Sequence, residues 1–196
     1  MKLWLVRHAR PLIDAGVCYG ATDVPADAAH TASTAAQLAS LLPPGLALWT
    51  SPLQRCSALA EALCVLRPDL QLRRDARLAE MDFGCWEGVR WDDIPRSAYD
   101  DWTARFGSAR FGGRESVNEL LQRVADARAE ALGLGRDALW VTHAGVLRAM
   151  ALLDQGLRTL DTAPQWPRAV AGWGEWQALE LASPSATTGL KSSSSA

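Results

Sequence analysis

The chain has 196 residues, a formal net charge of −2, 48% hydrophobic residues and 21% charged residues. That length suits one compact domain, since about 100 to 200 residues is the usual domain size. The balanced charge offers no electrostatic pull toward nucleic acid or a membrane surface, so the expected partner is a small molecule. The first apolar run ends at Arg7, far short of a signal-peptide core or a membrane span, and the protein reads as cytoplasmic. Monomer and homodimer both remain open.

Taken in order, LWLV at 3–6 reads as a strand and the alanine-rich stretch 31–42 as a helix. LALWT at 46–50 reads as a second strand, and 52–66 as a helix with Ser51 as N-cap and Pro52 in its first turn. Residues 70–74 make a short strand; 75–101 read as an irregular insert, interrupted by Gly84, Gly88 and Pro95. A long amphipathic helix is expected over 115–132, then a buried strand ALWVT at 138–142, a helix over 145–153 and a last strand at 176–181. No role is evident for 154–174. The alternation implies an α/β fold, a three-layer αβα sandwich around a mainly parallel sheet, with ligands beyond the carboxyl ends of the strands. One domain is expected over 1–182, with 183–196 a disordered polar tail.

Cys18, Cys56, Cys64 and Cys85 show no C-x-x-C pairing or metal spacing and read as reduced, mostly buried thiols. The nine tryptophans are scattered from Trp4 to Trp176 and read as core or pocket-wall residues.

Three groups of reactive side chains fall at carboxyl ends of predicted strands: Arg7 with His8, the stretch from Ser51 to Arg55, and His143. Two histidines and two arginines at one sheet edge suit a phosphoryl group. Guanidinium forks pair with phosphate oxygens, and a neutral imidazole near pH 7 is both nucleophilic and readily protonated. Neither a metal nor a cofactor is required. Taken singly, Arg7 and Arg55 read equally well as surface charges, and Glu80 as an exposed carboxylate.

With these positions assembled, the chain resembles the histidine phosphatase superfamily, the phosphoglycerate mutase-like group. LVRHA is similar to its signature strand and turn, SPLQR to its S-x-L-x-R motif, LAEMDFGCWEG to its acid-bearing loop, and VTHAGVLRA to its second-histidine motif. The resemblance implies a phosphoric monoester hydrolase working through a phosphohistidine. His8 would be the nucleophile, Glu80 the proton donor, and Arg7, Arg55 and His143 the ligands of the phosphoryl group. The glycine usual after the nucleophile is Ala9 here, and the next position is Arg10.

CYGATDVP, DFGCWEG and GGRESV look most like the α-ribazole phosphatase and broad-specificity branch. That points to a small phosphorylated metabolite, with α-ribazole 5'-phosphate among the candidates. A phosphoglycerate mutase-type phosphotransferase and a non-catalytic phosphate sensor stand as alternatives. Trp86, Trp91 and Trp102 read either as core or as the wall of a pocket for an aromatic leaving group.

Overall fold

The structure is a computed structural model and describes residues 1–181. The expected polar tail over 183–196 lies outside them. Five strands form one sheet: β1 (Lys2–Arg7), β2 (Ala47–Thr50), β3 (Gln71–Arg74), β4 (Ala138–Thr142) and β5 (Trp176–Glu180). Their order is β3-β2-β4-β1-β5, with only β5 antiparallel. The helices are α1 (Ala28–Leu41), α2 (Gln54–Leu66), α3 (Arg96–Ala104), α4 (Val117–Gly133) and α5 (Ala144–Asp154).

The period-2 alternation of the strands divides the core. Leu3, Leu5, Trp49 and Trp140 face α4 and α5, while Val6, Leu48, Leu139 and Val141 face α1 and α2. Each fully buried aliphatic chain here contributes about 1.5–3 kcal/mol. Trp49 and Trp140 stack at 5.8 Å from neighbouring strands. This is the expected three-layer sandwich with a mainly parallel sheet.

The helix starts differ from expectation for local reasons. Ser51 does not cap α2, which begins at Gln54. Asp23 supplies the acceptor instead, at 2.7 Å from the Gln54 amide, while Ser51 Oγ accepts from the Leu53 amide at 3.3 Å and faces the sheet edge. The long helix opens two residues later than expected, at Val117, under a reciprocal capping box of Ser116 and Glu119.

The insert over 75–101 is less irregular than expected. It holds short 3-10 turns and runs into helix α3, which begins directly after Pro95. A proline ahead of the first turn does not break a helix. Phe111 centres a small core of the insert: Trp102 stacks on it at 4.4 Å and Trp91 at 6.2 Å, with Trp86 at 6.1 Å.

Candidate active site

The register of the sheet brings the separated motifs together. Arg7 pairs with Thr142 across β1 and β4, so His8 and His143 leave adjacent strands side by side. Their ring centroids are 5.1 Å apart. Ser51 leaves β2 on the other side of β4, where its Oγ lies 2.8 Å from His143 Nε2. Arg55, in the first turn of α2, points under the same edge and is fully buried.

Arg55 is held by two carbonyls, Nη1 donating to Thr22 O at 2.8 Å and Nη2 to Gly20 O at 2.6 Å. Arg7 donates from Nη1 to Ala171 O at 3.1 Å. Among the described residues no carboxylate forms an ion pair with either guanidinium, and the buried Nε–H of each finds no acceptor. A fully buried cation and a half-buried one, neither with an anionic partner, are costly and suit an anion that enters from solution.

The imidazoles are neutral at pH 7. Burial lowers the His8 pKa to about 3; the bond to Ala9 O opposes this, and the charges of Arg55 and Arg7 add to the lowering. His143 is held well below the ordinary range by burial first, then by Arg55. His8 Nδ1 lies 2.7 Å from Ala9 O. A carbonyl can only accept, so Nδ1 carries the proton and Nε2 keeps its lone pair. No non-glycine residue among those described has a positive φ, so Ala9 follows His8 without backbone strain.

These shifts link stability to pH. An imidazole of ordinary pKa in the unfolded chain takes up a proton below about pH 6.5 that the folded chain refuses, so the unfolded state binds more protons and stability falls as pH falls. For His8 the window runs from about 6.5 down to about 3. Each histidine contributes at most about 1.4 kcal/mol per pH unit within it. Urea titrations between pH 7 and 4.5 should show this slope, and His8→Gln should reduce it, leaving the share of His143.

Glu80 is tied to the start of α5, just after His143. Its Oε2 accepts from the Gly145 amide at 3.0 Å, and its Oε1 from the Met81 amide at 3.0 Å. Gly145 lies in the first turn of α5, two residues after His143, so one strand end positions both groups. A Cβ at Gly145 would stand 2.1 Å from Glu80 Oε1. Gly145→Ala should therefore displace the carboxylate and lower kcat about 100-fold, with the thermal midpoint and phosphate affinity nearly kept. Arg123 supports the same loop, donating to the carbonyls of Arg77, Ala79 and Glu80 while it pairs with Glu115 at 2.6 Å.

Several contributing residues had no role in the sequence reading. Glu87 takes hydrogen bonds from the amides of Gly20, Ala21, Thr22 and Phe83 at 2.9–3.1 Å, and from the Thr22 hydroxyl. Burial opposes its ionisation, but these donors outweigh it and hold the carboxyl below the usual range. The carboxylate thereby fixes the very loop whose carbonyls carry Arg55. Gly20 is pressed so close that a Cβ there would meet Met81 O at 1.9 Å. Glu87→Ala should lower stability by at least about 3 kcal/mol in urea unfolding, because several amides lose their acceptor at once, and should weaken phosphate binding in parallel. A hint of Glu87 lay in the run CWEG, where a lone acid sits beside a turn-forming glycine.

The segment 154–174 wraps back across the site. Pro167 O accepts from Arg148 Nε at 2.9 Å, and Ala171 O from Arg7. The Gly174 amide donates to the carbonyls of Arg7 and His8 at 3.2 and 3.0 Å. Arg10 is exposed and faces Asp27 at 3.6 Å. The cysteines are mixed: Cys18 and Cys56 are buried, Cys64 is half-buried and Cys85 is exposed. Burial pushes the Cys18 thiol up to about 12 and the Cys56 thiol higher still, so both are inert. Among the described residues no cluster of three His, Cys, Asp or Glu side chains has metal-site geometry, and no helix is long and apolar enough to cross a membrane.

A sheet edge carrying two neutral imidazoles and two carboxylate-free guanidiniums defines an α/β protein that handles phosphoryl groups. Residues 3–180 match the family model of the histidine phosphatase superfamily (branch 1), and the chain belongs to that superfamily as an enzyme of the phosphatase class.

Among solved structures it is similar to a protein of Thermus thermophilus, at 30% identity over 92% of this chain and 94% of that one, with a TM-score of 0.69. The α-ribazole phosphatase of Shigella flexneri shares 24% identity over 93% and 91% of the two chains, with a TM-score of 0.78. The mycobacterial glucosyl-3-phosphoglycerate phosphatase shares 22% over 90% and 88%, with a TM-score of 0.76. The last two likenesses speak for the fold. A search of curated protein sequences finds no match.

Proposed function

We propose that the protein is a metal-independent phosphomonoesterase that acts on a small phosphorylated metabolite through a phosphohistidine on His8. The observation that carries this reading is the pair of carboxylate-free guanidiniums, Arg7 and Arg55, beside a neutral His8 whose Nε2 holds a lone pair. Arg7, Arg55 and His143 bind the phosphoryl oxygens and take up the charge that builds in the transition state.

In the first half-reaction the Nε2 lone pair of His8 attacks phosphorus, the ester P–O bond breaks, and Glu80 in its acid form gives its proton to the leaving oxygen. In the second, water attacks the phosphohistidine and loses its proton to Glu80. The P–N bond breaks, its electron pair returns to Nε2, and inorganic phosphate leaves. Nδ1 keeps its proton throughout, held on Ala9 O. The Ser51 hydroxyl fixes the His143 ring for its part in charge stabilisation.

The substrate panel consists of α-ribazole 5'-phosphate, phosphoglycerates and sugar phosphates, assayed for phosphate release with excess EDTA. Release unaffected by the chelator is the expected result. Loss of activity in EDTA, or isomerisation of phosphoglycerate in place of phosphate release, contradicts this reading.

A further inference from the structure

The two arginines of the site each lie against an aromatic ring. Arg55 sits 5.4 Å from the Tyr19 centroid, and Arg7 sits 5.5 Å from that of Trp173. Both rings also line one cleft of about 420 Å3, whose other walls are Trp91, Val17, Ile13 and Pro11. That volume falls within the roughly 300–1,000 Å3 of small-molecule sites, which are mainly apolar with few polar groups.

From this geometry we infer that the cleft holds the leaving group of the phosphomonoester, and that this group is planar, aromatic and largely uncharged. The inference rests on the phosphatase reading and names its substrate class. Tyr19 and Trp173 link the cleft to the phosphoryl site, because the rings that form its walls are the rings that touch the phosphate-binding arginines. On this inference a group joined to the phosphoryl passes along these faces.

The charges in the cleft argue against an anionic leaving group. Arg10 is the one cation of its lining and already faces Asp27, while Asp14 in the same lining repels an anion. Aromatic faces favour a flat ring by stacking. Trp173 is 42% exposed, an unusual placing for an indole in a wall that touches a catalytic arginine.

The walls are fixed in place. The Trp91 amide donates to Gly16 O and the Cys18 amide to Val89 O, both at 2.8 Å, which ties the loop behind β1 to the insert. The Trp91 ring stacks on Phe111 and meets Phe83 edge-on at 5.4 Å. Trp173 is anchored by its neighbour Gly174, whose amide binds the Arg7 and His8 carbonyls.

The test compares 2-naphthylethyl phosphate with ethyl phosphate, whose leaving alcohols are similar in acidity, so that a preference reports binding and not chemistry. The intact protein should favour the naphthyl ester by at least about tenfold in kcat/KM, mainly through KM. Trp91→Leu, which removes a wall, and Ile13→Trp, which fills the space, should each erase most of that preference. No preference in the intact protein, or a preference that survives both substitutions, overturns the inference. If neither ester is hydrolysed, the phosphatase reading fails separately. Calorimetry with the non-hydrolysable 2-naphthylethylphosphonate then decides: binding about tenfold weaker in Trp91→Leu supports the cleft, and absent or equal binding overturns it.

Discussion

His8→Gln should lower the turnover of any phosphomonoester by at least about 10,000-fold, the scale on which enzymes lose rate when a nucleophile is removed. Glutamine is close to imidazole in length and keeps a polar group against Ala9 O, so the fold should persist. It has no basic nitrogen to form the P–N bond. The substitution also takes a group out of the core that cannot be protonated there, since burial and two arginines hold its pKa near 3. The variant should therefore be as stable as the parent at neutral pH and more resistant to acid. Phosphate affinity should be kept or raised, because Arg7, Arg55 and His143 remain. A simultaneous collapse of activity and folding would attribute the loss to structure instead.

Glu80→Gln should have the next largest effect, and a selective one. The amide preserves the shape that accepts from Gly145 and Met81, but it has no proton to give and cannot act as a base. With an alkyl phosphate, whose alkoxide leaves poorly, kcat should fall by about 100- to 10,000-fold. With p-nitrophenyl phosphate, whose leaving group needs no proton, formation of the phosphoenzyme should be nearly normal and its hydrolysis slow. A burst of nitrophenol equal to the enzyme concentration, then a slow steady rate, is the expected trace. Equal losses with both substrates and no burst would remove Glu80 from the proton-transfer role.

The sheet was largely legible in the sequence because each central strand is short, continuous and apolar, and ends on a polar or charged residue. Arg7, His8 and His143 stood out for that reason, as did the helix that carries Arg55. Their convergence followed from topology alone: parallel strands with helical crossovers put their carboxyl ends on one edge. What could not be read are partnerships between distant loops. Glu87 gathers amides 65 to 67 residues earlier in the chain, and Ala171 meets Arg7 across 164 residues.

Local pattern also misled where one residue type serves two purposes. Ser51 carries the usual residue type for a helix cap, yet it is bonded to His143, and the capping role falls to Asp23 from a loop that has no periodicity to reveal it. Pro95 reads as a break in the insert but stands immediately before α3. The tryptophans resolve into both expected roles. Trp86, Trp91 and Trp102 pack around Phe111, and Trp91 also presents a face to the cleft. Trp173, in a segment with no legible role, supplies another wall of it.

The phosphoenzyme itself offers the most direct test. Protein mixed with phosphate-labelled substrate and quenched within one turnover should carry the label on His8, located by peptide mass spectrometry after alkaline quenching. Phosphohistidine is stable in base and labile in acid, so the label should survive alkali and be lost in mild acid, and His8→Gln should carry none. Label that resists acid, or that lies on a residue other than His8, would contradict the mechanism.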